Sequence, residues 1–289
     1  MLTKKISNGW LTGFIGVLIF SGSLPATKLA VTGFDPIFLT FARATIAGLC
    51  AGLILLVRPQ KVPSIADIFS LIVVSIGIII GFPLLTALAL QEITSAYSIV
   101  FIGLLPLATA IFGVIRGGER PRPAFWIFSI LGSLTVVVFA LTQGGSSSVK
   151  ADLLMLGAIV ICGLGYAEGA TLSRRLGGWQ VICWTLLISL PLMLSFALLT
   201  APSSLTAIGA KAWCGLAYVS LFSMLIGFIF WYHGLSKGGI AAVGQLQLLQ
   251  PFFGLILAAL FLSESISPAM VMVSAAVVAC VAGAKRFAR

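Results

Sequence analysis

Three glutamine side chains, Gln245, Gln247 and Gln250, lie within six residues of one another in an otherwise apolar stretch of this chain. A buried amide without a hydrogen-bond partner is costly in hydrocarbon, so we expect these side chains to face the interior of a helix bundle. At helical spacing, Val243, Gln247, Gln250 and Gly254 form one stripe. The stripe is suited to binding the polar groups of a substrate, and hydrogen bonding between helices is the alternative.

Two basic residues, Lys28 and Arg43, and one carboxylate, Glu168, interrupt other apolar stretches. A charge at the centre of a membrane helix costs about 2.5–3.5 kcal/mol by insertion scales, so each needs a function or a partner. Lys28 and Arg43 are candidates for attracting a substrate carboxylate. The alternatives are that Lys28 extends its ammonium to the membrane surface, and that Arg43, with five donors, pairs with Asp35, Glu92 or free backbone carbonyls.

Glu168 and His233 are the candidates for proton coupling. A carboxyl group held away from water can carry a proton at neutral pH, which would suit proton-coupled exchange through Glu168. The alternative is an ordinary ion pair between Glu168 and Arg174 or Arg175, one to two turns further along the same helix. His233 stands alone near the end of a predicted span, a position typical of an interface residue.

Aromatic residues supply a further set of candidates. Tyr97, Tyr166 and Trp184 could line a cavity and stack on a substrate ring, or simply pack within the bundle. We include Tyr97 among the candidate substrate-binding residues. Trp231 and Tyr232 fit the belt of aromatic residues found where helices leave a membrane.

The elements that must position these residues are membrane helices. Hydrophobic residues make up 60% of the 289 residues, charged residues 8%, and the mean hydropathy is +1.18. A helix needs roughly 20 apolar residues to cross a bilayer. The chain therefore predicts an all-α membrane protein with ten transmembrane helices, at residues 10–30, 36–57, 68–90, 93–115, 123–142, 151–172, 178–198, 212–233, 239–262 and 267–285.

The distribution of Lys and Arg over these spans predicts the orientation. Lys150 and Lys211 lie on the side opposite the N-terminus, and Lys28 and Arg43 lie within spans. The thirteen others lie on the side of the N-terminus: Lys4, Lys5, Arg58, Lys61, Arg116, Arg120, Arg122, Arg174, Arg175, Lys237, Lys285, Arg286 and Arg289. Short cytoplasmic loops carry the excess of Lys and Arg, so both termini should be cytoplasmic.

Several functional classes are disfavoured by the sequence. The net charge of +10 is spread over short loops and forms no basic domain or tail, which argues against a nucleic-acid partner. One histidine and no acidic cluster provide no metal site, and no phosphate-binding glycine loop or nucleophile elbow is present. The five cysteines lie inside spans without CxxC spacing, as buried thiols do. We therefore expect neither an enzyme nor a bound cofactor.

A mid-span proline and a carboxylate at the span end occur twice, at the same separation. Pro106 and Glu119 correspond to Pro251 and Glu264 at a constant offset of 145 residues. A proline in mid-helix removes a backbone hydrogen bond and frees a carbonyl, which in a bilayer must meet protein or a water-filled cavity. Pro106 and Pro251 are thus candidate helix breaks that border a cavity, and simple kinks are the alternative.

This repetition divides the chain into two five-span units, residues 1–145 and 150–289. A unit with an odd number of spans enters the membrane from opposite sides in its two copies, so the repeats are inverted. Secondary transporters have this architecture, with the substrate site near the midplane between the repeats. Glycines at helix-packing spacing, including Gly77 with Gly81 and Gly165 with Gly169, predict close contacts between helices.

The chain resembles the EamA branch of the drug/metabolite transporter superfamily. The residues that carry the resemblance are the segment IFSGSLPATKLA followed by Pro36 and Arg43, then Pro106 with Glu119, Gly132, and Pro251 with Glu264. The resemblance implies ten helices in two inverted halves around a central cavity, cytoplasmic termini, and export of small metabolites, often amino acids. It also implies a bacterial inner (plasma) membrane location. The second half departs from the pattern, because Glu168 stands near the position where a match to Lys28 is missing.

We therefore expect a secondary transporter that exports amino acids or related metabolites by alternating access. An exporter of lipophilic cations or drugs centred on Glu168 is one alternative, and a non-transporting membrane scaffold or receptor is another. The expected partners are a small-molecule substrate and membrane lipids. The small residues of the tenth span would serve a monomer or a homodimer equally well.

Overall fold

The computed structural model describes residues 2–118, 120, 122–142, 148–204, 206–238, 240–263 and 265–287. Over these residues the chain is helical and contains no strand. The absence of strands agrees with the rule that a backbone in lipid must satisfy its hydrogen bonds within its own segment.

Ten helical segments, α1–α10, follow one another in the described residues. Several are built from consecutive pieces that differ in backbone geometry. Their bounds are α1, Leu2–Ser21 and Ser23–Ala30; α2, Pro36–Val57; α3, Ile65–Val74, Ser75–Gly81 and Phe82–Glu92; α4, Ser95–Ile102 and Leu105–Gly117; α5, Pro123–Thr142; α6, Val149–Leu176; α7, Gly178–Leu199; α8, Ala210–Ala217, Tyr218–Ile226 and Gly227–Gly238; α9, Ile240–Gly244, Gln245–Leu249 and Gln250–Leu262; and α10, Pro268–Arg286.

These segments coincide with the predicted spans to within a few residues at most ends. Seven of them, in the described residues, are long and apolar enough to cross a membrane, and shorter apolar helices lie at Pro123–Thr135, Leu246–Leu262 and Pro268–Ala284. The largest differences are at the start of α1 and the end of α8, where each helix extends past the apolar stretch into polar residues. Hydropathy measures only the apolar part of a helix, so such extensions are invisible to it.

Local capping chemistry fixes where some helices begin. The Asp35 carboxylate accepts hydrogen bonds from the backbone N–H groups of Ile37 and Phe38, at 2.8 and 3.3 Å, and thereby caps α2. Ser64 and Asp67 form a reciprocal capping box at the start of α3. These contacts satisfy backbone donors that the first turn of a helix would otherwise leave unpaired.

The packing of the helices repeats between the two parts of the chain. If each helix is matched with the helix five places later or earlier in the series α1–α10, packed pairs correspond to packed pairs. Helix α1 packs along α8, and α6, the counterpart of α1, packs along α3, the counterpart of α8. Helix α2 packs along α7, and α5 packs along α10; in each pair the two helices correspond to one another. Both contacts are extensive. In the interior, large side chains including Phe101, Leu105 and Met155 are fully buried.

Glycines allow the backbones of these helices to approach closely. A Cβ atom added to Gly77 would lie 2.9 Å from Gly165 Cα, and one added to Gly234 would lie 2.7 Å from Gly13 N. Separations this short leave no room for a side chain. The expected close packing at Gly77 and Gly165 is therefore confirmed.

The outward faces of the helices are apolar. Large side chains such as Leu56, Leu199 and Leu260 are exposed on the bundle surface, as lipid contact requires. Of the five free cysteines, Cys162 and Cys183 are buried as expected, but Cys214 is exposed. It lies one turn into α8 and lines an open groove between α8, α1 and α9, so its expected burial is wrong.

Candidate functional site

Five of the central helices depart from regular α-helical geometry. Helix α1 is interrupted at Gly22, and α4 between Ile102 and Leu105. Helices α3 and α8 contain π-helical segments, and α9 contains a 3₁₀ segment. Segments of π-helix and mid-helix 3₁₀ turns occur frequently at functional sites, because they shift backbone carbonyls out of the regular ladder.

These irregular segments meet around an internal cavity. Its lining comes from α1 (Phe20, Ser23, Leu24), α2 (Arg43), α3 (Ile78, Phe82, Pro83), α4 (Leu105), α6 (Tyr166), α8 (Ser223, Phe228) and α9 (Gln250). The cavity volume is about 20 Å³, which corresponds to roughly one water molecule. A metabolite therefore enters only if the surrounding helices separate.

Six of the lining residues form pairs separated by 145 residues, the offset found in the sequence. In two of the pairs the earlier residue is apolar and the later one is polar. The pairs are Ile78 with Ser223, Pro83 with Phe228, and Leu105 with Gln250. The repeat thus places matching residues on the cavity wall, and within these pairs the later residue supplies the hydroxyl or amide group.

Arg43 carries the one formal charge among the described lining residues of this cavity. Its side chain is buried, and Nη2 donates to the carbonyl of Val219 at 3.1 Å and to Ser223 Oγ at 3.4 Å. Its Nε is buried without a partner. Of the partners that the sequence suggested for Arg43, a backbone carbonyl is the one found, and it lies in the π segment of α8. Asp35 instead caps α2, and Glu92 pairs with Lys150.

The amides of α9 are buried, as expected. Gln250 donates through Nε2 to the carbonyl of Phe20 at 3.4 Å, but its Oε1 has no partner. Gln247 is 0% exposed and lies beside the Tyr166 side chain, and the hydrogen-bonding capacity of its amide is not filled by the described residues. The side chain of Gln245 lies outside the described residues. Native proteins rarely leave buried amides unpaired, so this arrangement indicates groups that a ligand or water completes.

An aromatic cluster closes one side of the cavity. The ring centroids of Phe20 and Phe228 are 4.9 Å apart, and those of Tyr166 and Trp231 are 5.7 Å apart. Tyr166 thus borders the cavity, as the sequence allowed. Trp231 lies behind it with its Nε1 unpaired. These rings offer a rigid apolar surface to the non-polar part of a ligand.

The prediction that Trp231 and Tyr232 belong to a membrane-surface belt is wrong. Both side chains are fully buried, and the Tyr232 hydroxyl donates to the carbonyl of Gly165 at 3.1 Å. The backbone of Trp231 packs against Gly16. Helix α8 extends beyond the predicted span end, and this longer helix places the two residues deep within the bundle.

Glu168 forms a two-point ion pair with a residue that the sequence did not suggest. Arg116 on α4 donates through Nε at 2.7 Å and through Nη2 at 3.1 Å to the two carboxylate oxygens. The Glu168 side chain is 5% exposed. The predicted pairing with Arg174 or Arg175 is wrong: Arg175 pairs instead with Asp67 on α3. The reason is tertiary, since the end of α4 lies alongside Glu168.

Lys28 lies beyond the cavity lining, one turn past Leu24. Its Nζ donates to the carbonyls of Leu90 and Ile93, at 2.5 and 2.9 Å, where α3 ends. A cation at a helix C-terminus satisfies orphan carbonyls and interacts favourably with the helix dipole. The ammonium thus supports the junction of α1 with α3.

Tyr97 and His233 also lie apart from the lining residues. The Tyr97 hydroxyl donates to Asp152 Oδ1 at 3.1 Å and joins the start of α4 to the start of α6. His233 is partly buried on α8, and its backbone packs against Gly178 at the start of α7.

Pro106 and Pro251 occupy the second position of helical pieces that restart after an interruption. A proline is well tolerated there, because the N–H that it lacks would have no helical partner. The residues directly before the prolines, Leu105 and Gln250, line the cavity. The carboxylates expected to recur with these prolines, Glu119 and Glu264, lie outside the described residues.

Ser23, Ser223 and Phe228 were not singled out by the sequence analysis, although all three line the cavity. Ser223 lies 145 residues after Ile78, and both belong to π-helical segments, but nothing in the sequence marks either residue as part of a cavity. No group of three or more His, Cys, Asp or Glu side chains suited to a metal occurs in the described part of the chain.

The sequence profile of the EamA-like transporter family matches residues 7–141 and 149–284. The chain is 67% identical over 286 residues to the uncharacterized transporter YdeK of Bacillus subtilis (strain 168), covering 99% of this chain and 100% of YdeK. It is 21% identical over 280 residues to a probable terminal-alkyne amino-acid exporter of Streptantibioticus cattleyicolor, covering 94% and 91% of the two chains.

A solved crystal structure that is 22% identical in sequence resembles the chain with a TM-score of 0.71. The alignment covers 96% of this chain and 97% of the other. At this level of identity the likeness concerns the fold alone.

Proposed function

Because the chain belongs to the EamA-like transporter family of the drug/metabolite transporter superfamily, we propose that it exports amino acids or related small metabolites by alternating access. The chain is a multi-pass bacterial membrane protein, and its family consists of transporters rather than enzymes. The observation that carries the proposal is the cavity, where one buried guanidinium and an incompletely bonded amide meet several aromatic rings.

Each part of the cavity suits one part of an amino acid. The Arg43 guanidinium binds a carboxylate, for which its planar donor edge is well shaped. The unpaired Oε1 of Gln250 accepts from the substrate's amino group, and Gln247 completes the amide lining when the helices separate. The rings of Phe20, Tyr166 and Phe228 enclose the side chain. Lys28 and Tyr97 take no direct part in this proposal.

The closed cavity and the equivalent packing of helix pairs in the two proposed halves support alternating access. Ten spans form inverted halves, residues 1–145 and 150–289, and rock about the midplane with both termini cytoplasmic. The equivalent packing of α1 on α8 and of α6 on α3 supports such halves. The interruptions before Pro106 and Pro251 supply the points at which α4 and α9 bend.

The name of one distant relative supports an amino-acid substrate, since that protein is a probable exporter of a terminal-alkyne amino acid. Export across the bacterial plasma membrane is the corresponding direction here.

An exporter of lipophilic cations is the second candidate, and it would require a carboxylate available to the substrate. Glu168 is held at both oxygens by Arg116 and lies outside the cavity lining. This contact argues for a structural ion pair and leaves the proton-carrier role of Glu168 and His233 to experiment. A membrane scaffold that transports nothing would be expected to pair its buried amides, so the unpaired amides argue against this third candidate.

The experiment is release from proteoliposomes loaded with a mixed pool of amino acids and metabolites, with and without a pH gradient, measured by mass spectrometry. Selective release of a few amino acids supports the proposal, and dependence on the gradient would bring Glu168 and His233 into the mechanism. Release of cationic drugs but not amino acids, abolished by Glu168→Gln, would favour the second candidate. If folded, inserted protein releases neither, the transport proposal for these compounds is wrong.

A further inference from the structure

Ser223 joins three helices at the wall of the cavity. Its hydroxyl lies 2.7 Å from Ser23 Oγ on α1, and it accepts from Arg43 Nη2 on α2 at 3.4 Å. Ser223 itself belongs to the π-helical segment of α8. All three residues line the cavity. One hydroxyl therefore connects α1 and α2, from the first half of the chain, to α8 in the second half.

The guanidinium edge of Arg43 is only partly used. Two hydrogen bonds fall on Nη2, to Val219 O and Ser223 Oγ, while the buried Nε has no partner. A carboxylate pairs with a guanidinium through two parallel hydrogen bonds, and Nε with Nη2 offers one such edge. Arg116 uses this edge on Glu168 in the same protein. At Arg43, Nη2 of the corresponding edge is bonded to α8, while Nε has no hydrogen-bond partner.

We propose that Ser223 is a specificity-determining residue that competes with the substrate carboxylate for Arg43. The proposal rests on the function proposed above. A carboxylate that takes the Nε–Nη2 edge displaces the Ser223 hydroxyl from the guanidinium and so weakens the connection of α8 to α2. A neutral carboxamide cannot do so, because it offers one acceptor oxygen and its nitrogen is a donor. Recognition of the carboxylate and loosening of the closed cavity are thereby one event.

The test uses two substitutions of the same kind on the same helical segment. Ser223→Ala removes the competing hydroxyl. Ser220→Ala is the matched control, because Ser220 is equally buried but donates to the carbonyl of Leu216 within its own helix. The probes are a pool of the proteinogenic amino acids and the pool of their carboxamides, and concentration-dependent release from proteoliposomes is measured for each.

We expect Ser223→Ala to lower the half-saturating concentration of the transported amino acids by about threefold or more, since one competing hydrogen bond is removed. Ser220→Ala should match the unsubstituted protein. Arg43→Gln should reduce the preference for acids over carboxamides by about tenfold or more, because charge-assisted bonds are lost. A merely structural Ser223 would give weaker binding, the opposite direction.

A rise in half-saturating concentration for Ser223→Ala would overturn the proposal, since the hydroxyl would then contact the substrate directly. Identity with Ser220→Ala would overturn it as well. Ser223→Cys, whose thiol is a weak acceptor, provides the same test if the alanine variant does not fold. Absence of saturable amino-acid release from the unsubstituted protein would instead refute the function proposed above.

Discussion

The two equivalent interfaces α3–α6 and α1–α8 are held together differently. Helices α3 and α6 are joined at one end by Asp67 and Arg175, and at the other by Glu92 and Lys150, 2.6 Å apart. Helices α1 and α8 contain no Asp or Glu, and their contact depends on glycines such as Gly13 and Gly234. Both interfaces contain close glycine contacts, Gly77 with Gly165 in the first and Gly13 with Gly234 in the second, but in the described residues only the first also carries an ion pair at each end.

For the alternating access proposed above, this difference favours movement of α1. Displacing α1 along α8 breaks hydrogen bonds, such as that between Ser23 and Ser223, but no ion pair, whereas displacing α6 from α3 breaks two ion pairs. Helix α1 is also interrupted at Gly22, while its counterpart α6 is continuous over Val149–Leu176. Since α1 contributes Phe20, Ser23 and Leu24 to the cavity, we expect the cavity to open mainly through movement of α1.

The largest effect is expected from a side chain at the glycine contact between α1 and α8. In Gly234→Leu the Cβ atom alone would lie 2.7 Å from Gly13 N, and backbone cannot move aside easily. We expect a loss of unfolding free energy of about 3 kcal/mol or more, measured by thermal unfolding in detergent. Gly209→Leu is the control, because Gly209 is exposed and a Cβ atom added there would meet no other atom within 4 Å. Equal stability of the two variants would contradict the close-packing interpretation.

The next effect concerns the unequal walls of the cavity. Gln250→Leu makes position 250 resemble its counterpart Leu105, and transport should fall by about tenfold or more, because a site built for hydrogen bonding loses its acceptor. The unfolding temperature should change little, since the loss of the long 3.4 Å bond from Nε2 to Phe20 O is offset by removal of the buried, unpaired Oε1. Gln91→Leu, at an exposed site on α3, is the control. A marked loss of stability with unchanged transport would identify Gln250 as a structural bridge.

A smaller effect is expected at the ion pair between α4 and α6. Glu168→Gln removes the charge but keeps an oxygen that can accept from Arg116, which is half-exposed. We expect a loss of about 1 kcal/mol in unfolding free energy, with amino-acid release reduced by no more than about threefold. Measuring both quantities on the same preparation separates the roles: abolished transport in a stable variant would indicate proton coupling.

The smallest effect is expected at the exposed end of the α3–α6 interface. Lys150 is 74% exposed, so solvent screens its pair with Glu92. Lys150→Ala should not change the unfolding temperature measurably, whereas Arg175→Ala should lower it, because the Asp67 side chain is 5% exposed. If both variants have the same unfolding temperature as the unsubstituted protein, the ion pairs do not stabilise this interface.

The helices themselves were predictable from the sequence. Their positions follow from apolar stretches of membrane-spanning length, and both central prolines mark helix interruptions that the structure contains. The burial of Gln247 and Gln250 was also predictable, since an amide is costly in lipid. Each of these properties depends on residues near one another in the chain.

The partners of the charged residues were not predictable in this way. Glu168 pairs with Arg116, which is 52 residues away, rather than with the nearby Arg174 or Arg175. Trp231 and Tyr232 are core residues because α8 extends further than its apolar stretch. In each case the outcome depends on how helices distant in sequence lie against one another.

The sequence alone determined that this is an all-helical membrane protein with a repeated pattern, because hydrophobicity and repeat spacing depend only on the order of residue types along the chain. Only the tertiary structure decided that Arg43, Ser223 and Gln250 share a cavity and that Lys28 supports a helix end. Such contacts arise from the packing of helices against each other. In this protein the packing depends on glycine contacts and ion pairs whose partners lie far apart in the chain.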